Sequence, residues 1–205
     1  MLHPITLDKT ASQVLDQLFE IEFIKECFAL AGGTSLALQI GHRKSIDLDL
    51  FTREAFSIEE LKILLYEKFN REYQYSSQNS RMLFCYISDV KCDFVVEPAK
   101  LLKEFKVIEG ISYFSIEDIA AMKLHTICGR GKRKDFFDVF SLTKVFTLKE
   151  LIDFFILKYD ESQLFFLFRS LQYFEDAEFD LPVQGIKPFD FDWKEIKEGI
   201  VKLIN

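Results

Sequence analysis

The chain has 205 residues, 49% hydrophobic and 29% charged, which is enough apolar material for a substantial core and too much for a disordered segment. A formal net charge of -7 excludes a protein whose whole surface holds nucleic acid and leaves only a local basic patch for such contact. No apolar run approaches the ~18 residues that span a bilayer, and the opening MLHPITLDKT lacks a signal-peptide pattern, so a cytoplasmic protein without membrane contact is expected.

Taken in chain order, residues 8–25 are predicted helical, and Phe28 to Ala31 reads as a short strand. A helix from Thr34 to about Ile40 follows, with Gly41 as its stop, and the chain returns as a strand from Ser45 to Phe51. Ser57 to Asn70 is a helix opened by a capping-box-like Ser-Ile-Glu-Glu. Three strand-like runs come next, Glu72 to Ser76, Arg81 to Ser88 and Val90 to Val96, and the short Ser88-Asp89 link makes the last two a hairpin. From Ser115 the pattern turns helical: Ser115 to Cys128, Lys134 to Val145, Leu148 to Lys158 and Ser162 to Phe174. Glu175 to Pro188 reads as an exposed connection before a final helix, Trp193 to Ile204. The expected architecture is therefore α+β, with a mixed-sheet core over residues 1–114 and a helical region over 115–205 packed on it. The 23 phenylalanines are scattered and read as core filling. Cys27, Cys85, Cys92 and Cys128 have no zinc-like spacing and are expected to be reduced; Cys85 and Cys92 fall in neighbouring strands and can lie close.

The chemistry concentrates in FALAGGTSLALQIGHRKSIDLDLF, residues 28–51. Side chains on a strand alternate, so Ser45, Asp47 and Asp49 are expected on one face while Ile46, Leu48 and Leu50 point into a core. Two carboxylates so placed repel and raise each other's pKa unless a cation neutralises them, and hard oxygen ligands favour magnesium, manganese or calcium. Upstream, Gly32 and Gly33 sit at a strand-to-helix turn, where glycine lets a phosphate approach the backbone and the helix start favours negative charge. The Thr34 hydroxyl is available there as a cap or a ligand. Taken singly, an Asp-Leu-Asp-Leu strand is most often an amphipathic edge and Gly-Gly most often a turn. Their coupling, with thirteen residues between Gly33 and Asp47, favours a metal-dependent nucleotide site.

Two further features bear on that reading. Asp93 lies inside the apolar strand VKCDFVV, where it is either solvated, salt-bridged, or the third acid of a metal cluster. Lys123, Arg130, Lys132, Arg133 and Lys134 carry five positive charges in twelve residues before Asp135, a density that suggests phosphate binding in an acidic protein. Lys123 itself, on an apolar helix, either snorkels to solvent or reaches into a cleft.

GGTSLALQIGHRKSIDLDLF, the aspartate of KCDFVV and the later KLHTICGRGKRKDFFDVF together resemble the nucleotidyltransferase-like AbiEii/AbiGii toxin family, a branch of the DNA polymerase β-like superfamily. The resemblance implies that Gly32, Gly33 and Thr34, with Ser45, form the nucleotide-binding turn. It makes Asp47, Asp49 and Asp93 the metal ligands, gives Lys123 and Arg130 to the triphosphate, and places Asp135 in a further family motif. It implies a polymerase β-like fold, Mg2+ with Mn2+ as an alternative, and a nucleoside triphosphate as substrate. The acceptor would be RNA such as tRNA, or a protein hydroxyl, and the chain the toxin of a toxin-antitoxin or phage-defence pair with a cognate antitoxin. The contrasting expectation is a non-catalytic nucleotide-binding or scaffold module that kept the fold.

Overall fold

The computed structural model describes residues 2–204. Two helices open it, α1 over Lys9–Leu18, where the Asp8 carboxylate accepts from Ala11 N, and α2 over Glu22–Cys27. The single helix expected over residues 8–25 is thus broken, because the turn between them lets both Leu18 and Ile24 bury completely. β1 (Ala29–Leu30) leads into α3 (Gly32–Ile40), which ends on Gly41 in the left-handed region at φ 73°. β2 covers Leu48–Thr52, and α4 (Ile58–Phe69) starts on the Ser57 hydroxyl. A meander follows: β3 (Tyr73–Asn79), β4 (Met82–Ile87) and β5 (Val90–Val96). Its second turn is the expected two-residue hairpin, with Ser88 and Asp89 both at positive φ, 50° and 64°, as a turn matched to strand twist requires.

The next hairpin was not legible. β6 (Lys106–Ile108) and β7 (Ile111–Tyr113) are three residues each, too short to establish alternation, and join through Glu109 and Gly110 at φ 54° and 83°. The chain then becomes helical: α5 (Ile116–Gly129), α6 (Arg133–Leu142), α7 (Leu148–Lys158), α8 (Leu164–Ser170) and α9 (Trp193–Ile204).

The strands form one seven-stranded sheet in the order β3-β4-β5-β2-β1-β7-β6. β2 runs parallel to β5 and β1 parallel to β7, while the other pairs are antiparallel, so the sheet is mixed. One core joins α1, α2 and α4 to the sheet through Leu15, Leu18, Ile24, Leu61 and Leu65 against Leu48, Leu50 and Phe94. The other gathers Leu36 of α3 with Ile119, Phe136, Phe137, Leu151 and Phe155 of the later helices. Many phenylalanines fill these cores, but Phe165, Phe166 and Phe179 lie on the surface, against the expectation of core filling. Cys85 and Cys92 are buried, unoxidised register partners across β4 and β5.

The strand expected from Ser45 begins only at Leu48. Ser45 instead forms an isolated bridge to Leu7, and Ile46, expected in the core, is 60% exposed. Outside the ladder nothing enforces the alternation, and Ile46 has no packing layer above it. The connection over 175–188 is mostly exposed but anchored: Ile186 N donates to His42 O at 2.9 Å and Gly185 bridges to Arg43. That strap holds the loop after α3 in place.

Candidate active site

Parallel pairing of β2 with β5 sets Asp49 directly beside Asp93, about 4.8 Å apart across the ladder. Strands with the period-two pattern Leu-Asp-Leu and Cys-Asp-Phe bury their apolar residues on one face, which turns both acids to the other. Asp47, just before β2, joins them in a cleft of about 320 Å³. Gly33, Arg43, Ser45, Lys91, Lys123, Arg130, Lys132, Lys134 and Asp135 complete its lining. Six cationic side chains therefore face four carboxylates, in a protein that is acidic as a whole.

The double glycine has a specific reason. At Gly32, φ 63°, an added Cβ would stand 2.0 Å from Asp49 Oδ2; at Gly33 it would stand 2.2 Å from Arg43 Nη2. These positions make room for the protein's own acid and guanidinium, and the Gly33 backbone stays open to the cleft. Gly33→Ala is therefore expected to displace Arg43 and destabilise by roughly 1 to 3 kcal/mol, the usual cost of overpacking. A melting temperature equal to wild type would refute that account.

Thr34, expected as a cap or ligand, is 1% exposed and turned inward. Its hydroxyl donates to the Asp47 carbonyl and lies 2.8 Å from Ser45 Oγ, so it fixes the backbone that carries Asp47. Helix α3 begins with no side-chain cap. Its first amides thus remain available where Gly33 meets the cleft.

Lys123 reaches inward: at 7% exposure its ammonium lies 3.0 Å from Asp135 Oδ1 and 2.7 Å from Asp138 Oδ2. Asp138, fully buried, also accepts from Arg43 Nε at 2.6 Å, Arg43 Nη2 at 3.0 Å and His42 Nε2 at 2.8 Å. Burial alone would raise the Asp138 pKa, but Arg43 and Lys123 outweigh it and hold the carboxyl well below the usual range. Burial pushes the His42 pKa down, so the ring is neutral and donates through Nε2. Lys123 is thus already partnered, whereas Arg130 and Lys132 carry no ion pair among the described residues.

The acids supply oxygen donors of the kind a hard cation takes, although no three of them stand as a ready ion site among the described residues. Burial, and next the neighbouring Asp93 charge, raise the Asp49 pKa, a penalty that a bound cation relieves. Asp93 Oδ1 and Asp135 Oδ2 are buried with no hydrogen-bond partner among the described residues. As they stand the acids form no closed ion cage: Lys91 pairs with Asp93, and Lys134 Nζ lies 3.2 Å from Asp47 Oδ2. A divalent ion here would find oxygen donors only, as magnesium and manganese prefer.

All the acids singled out in the sequence, with Gly33, Ser45, Lys123 and Arg130, line this cleft, while Gly32 and Thr34 support it from behind. Arg43, Lys91 and Asp138 were given no role. For Asp138 a signal existed, since a second acid one helical turn after Asp135 on the apolar stretch DFFDVF demands a cation.

A family model described as nucleotidyl transferase AbiEii toxin, type IV toxin-antitoxin system, matches residues 13–202. The chain belongs to the AbiEii nucleotidyltransferase toxin family. By that membership it is a nucleotidyltransferase. An uncharacterized protein of Aquifex aeolicus is 30% identical over 198 residues, covering 94% of this chain and 93% of its own. Among solved structures, JHP933 from Helicobacter pylori aligns with TM-score 0.56 at 20% identity, over 97% of this chain and 91% of its own. The nucleotidyltransferase toxin MenT4 of Mycobacterium tuberculosis aligns with TM-score 0.52 at 11% identity, over 95% and 82%. These likenesses place the AbiEii chain in the polymerase β-like nucleotidyltransferase fold, with its mixed sheet and flanking helices.

Proposed function

We propose that this AbiEii family member transfers a nucleoside monophosphate from a nucleoside triphosphate to an acceptor hydroxyl, with Asp47, Asp49 and Asp93 holding magnesium, or manganese in its place. The observation that carries this reading is the register pairing of Asp49 with Asp93 beside Asp47, in a cleft otherwise lined by cations. Held by these acids, a divalent ion would lower the pKa of an attacking hydroxyl and offset charge on the departing pyrophosphate.

The protein's own groups do the rest. The open start of α3 at Gly33 accepts phosphate oxygens through backbone amides. Arg130 and Lys132, free of carboxylate partners among the described residues, are the cations best placed to take the β- and γ-phosphates. Lys123 and Arg43, held by Asp138 and Asp135, are fixed cationic donors at the cleft floor whose charge those two carboxylates balance. Ser45 and Thr34 hold the Asp47 backbone still. The same basic rim suits an RNA acceptor, since phosphate contacts supply sequence-independent affinity. Family membership supports the reading of this protein as the toxin of a toxin-antitoxin pair with a cognate antitoxin.

The test is incubation with each α-labelled triphosphate, magnesium and total host RNA and protein, following label into both fractions. Label in RNA is expected, and label in protein instead would move the acceptor class. Tight triphosphate binding with no transfer to either fraction would replace this reading with a non-catalytic binding module.

A further inference from the structure

Lys91 and Asp93 sit two residues apart on β5 and so share a face. Both line the cleft with Asp49, and the Lys91 ammonium donates to Asp93 Oδ2. The Asp93 side chain is 13% exposed and its Oδ1 is buried without a partner among the described residues, whereas the Lys91 side chain is 40% exposed. A buried, half-satisfied carboxylate thus holds a cation whose own side chain has an open route to solvent. Asp49 adds its charge from the adjacent register position. Besides Asp93, the Lys91 ammonium lies over the Phe84 ring, 5.9 Å from its centre.

We infer that the Lys91 ammonium is a resident counter-ion on the Asp93 carboxylate which an incoming divalent cation must displace, so that Lys91 sets how tightly the site takes a bare ion. This rests on the metal-holding role proposed above for Asp47, Asp49 and Asp93. An ammonium hydrogen-bonded to one carboxylate oxygen occupies a lone pair that a hard ion needs. A divalent ion on the other oxygen would stand against a like charge inside a partly enclosed cleft. The side chain is long and flexible enough to leave. Without an ion, Lys91 offsets one of the two charges of Asp49 and Asp93; with one, it swings away toward solvent or the bound triphosphate.

The test uses the full chain, no nucleotide and Mn2+ as the probe, with free ion read by electron paramagnetic resonance. Lys91→Met and Lys91→Gln are compared with wild type and with Lys149→Met, which removes an equal charge from an 83% exposed side chain. Both Lys91 variants are expected to bind Mn2+ at least ten-fold more tightly, and Lys149→Met to bind as wild type does. In chelator the Lys91 variants should melt below wild type, and Mn2+ should restore them. Wild-type binding with unchanged or weakened affinity in both Lys91 variants would overturn the displacement and make Lys91 a bystander or a support for the ligand. If neither wild type nor the Lys91 variants bind Mn2+ in the millimolar range, the metal-site reading beneath the inference fails as well.

Discussion

Asp47→Ala should abolish transfer of label from the triphosphate, by roughly 10³-fold or more, with little change in melting temperature. The rate estimate follows from losing several kcal/mol of charge stabilisation at the reacting phosphate, at about 1.4 kcal/mol per factor of ten. The stability estimate follows from the surroundings. Asp47 is 32% exposed on its side chain and among the described residues pairs only with Lys134, itself 42% exposed, at 3.2 Å. An exposed pair of this kind contributes about 1 kcal/mol or less. Asp49→Asn provides the contrasting arm. Burial and Asp93 raise the pKa of Asp49, so its charged form opposes folding. The sign is the reverse of a salt-bridged acid: the penalty is absent below the unfolded carboxylate range near ~3.9 and grows as pH rises through the raised folded value. In chelator at neutral pH, Asp49→Asn should therefore be at least as stable as wild type while transferring nothing. Measurable turnover by either folded variant would sink the assignment of these acids.

How far the chain could be read without its structure depends on the range of the interaction concerned. Gly41 as a helix stop, the Ser88-Asp89 turn and the Ser57 cap are decided within four residues, and each stands where local chemistry puts it. Asp93 stood out because a carboxylate inside an apolar strand is costly to bury, but its place beside Asp49 is set by the pairing of β2 with β5. Ile46 was misread because alternation was carried past the point where a neighbouring strand enforces it. The positions of Arg43 and Asp138 lay out of reach for another reason. They are 95 residues apart and meet only because α3 and α6 pack on one side of the sheet. In the sequence Arg43 reads as a loop cation, and DFFDVF shows that Asp138 needs a cation without showing which one. The glycine pair was located correctly for a partly different purpose, since the contacts that forbid a Cβ there come from Asp49 and Arg43.

Asp138→Ala should be among the most destabilising single substitutions available in this chain, costing roughly 3 to 5 kcal/mol, the range for breaking a buried ion pair from one side. The carboxylate is fully buried and accepts from His42, from two nitrogens of Arg43 and from Lys123. Without it, among the described residues Arg43 keeps only the Lys44 carbonyl and Lys123 only Asp135, so two buried cations lose most of their compensation. The folded pKa of Asp138 is strongly depressed, because Arg43 and Lys123 outweigh the burial that would raise it. Its contribution is therefore present above the unfolded carboxylate pKa near ~3.9 and fades only as pH falls toward the low folded value. At neutral pH the melting temperature should fall by roughly 6 to 20 °C, at about 2 to 4 °C per kcal/mol for a chain of this size. Asp138→Asn keeps an acceptor without the charge and should lose less. In the Asn variant the triphosphate KM should rise, because Asp138 is a positioning residue that keeps Arg43 and Lys123 in the cleft floor, while Mn2+ affinity without nucleotide stays near wild type. An Asp138→Ala protein that melts within about 1 kcal/mol of wild type would refute the network, since a buried carboxylate serving two cations cannot be removed so cheaply.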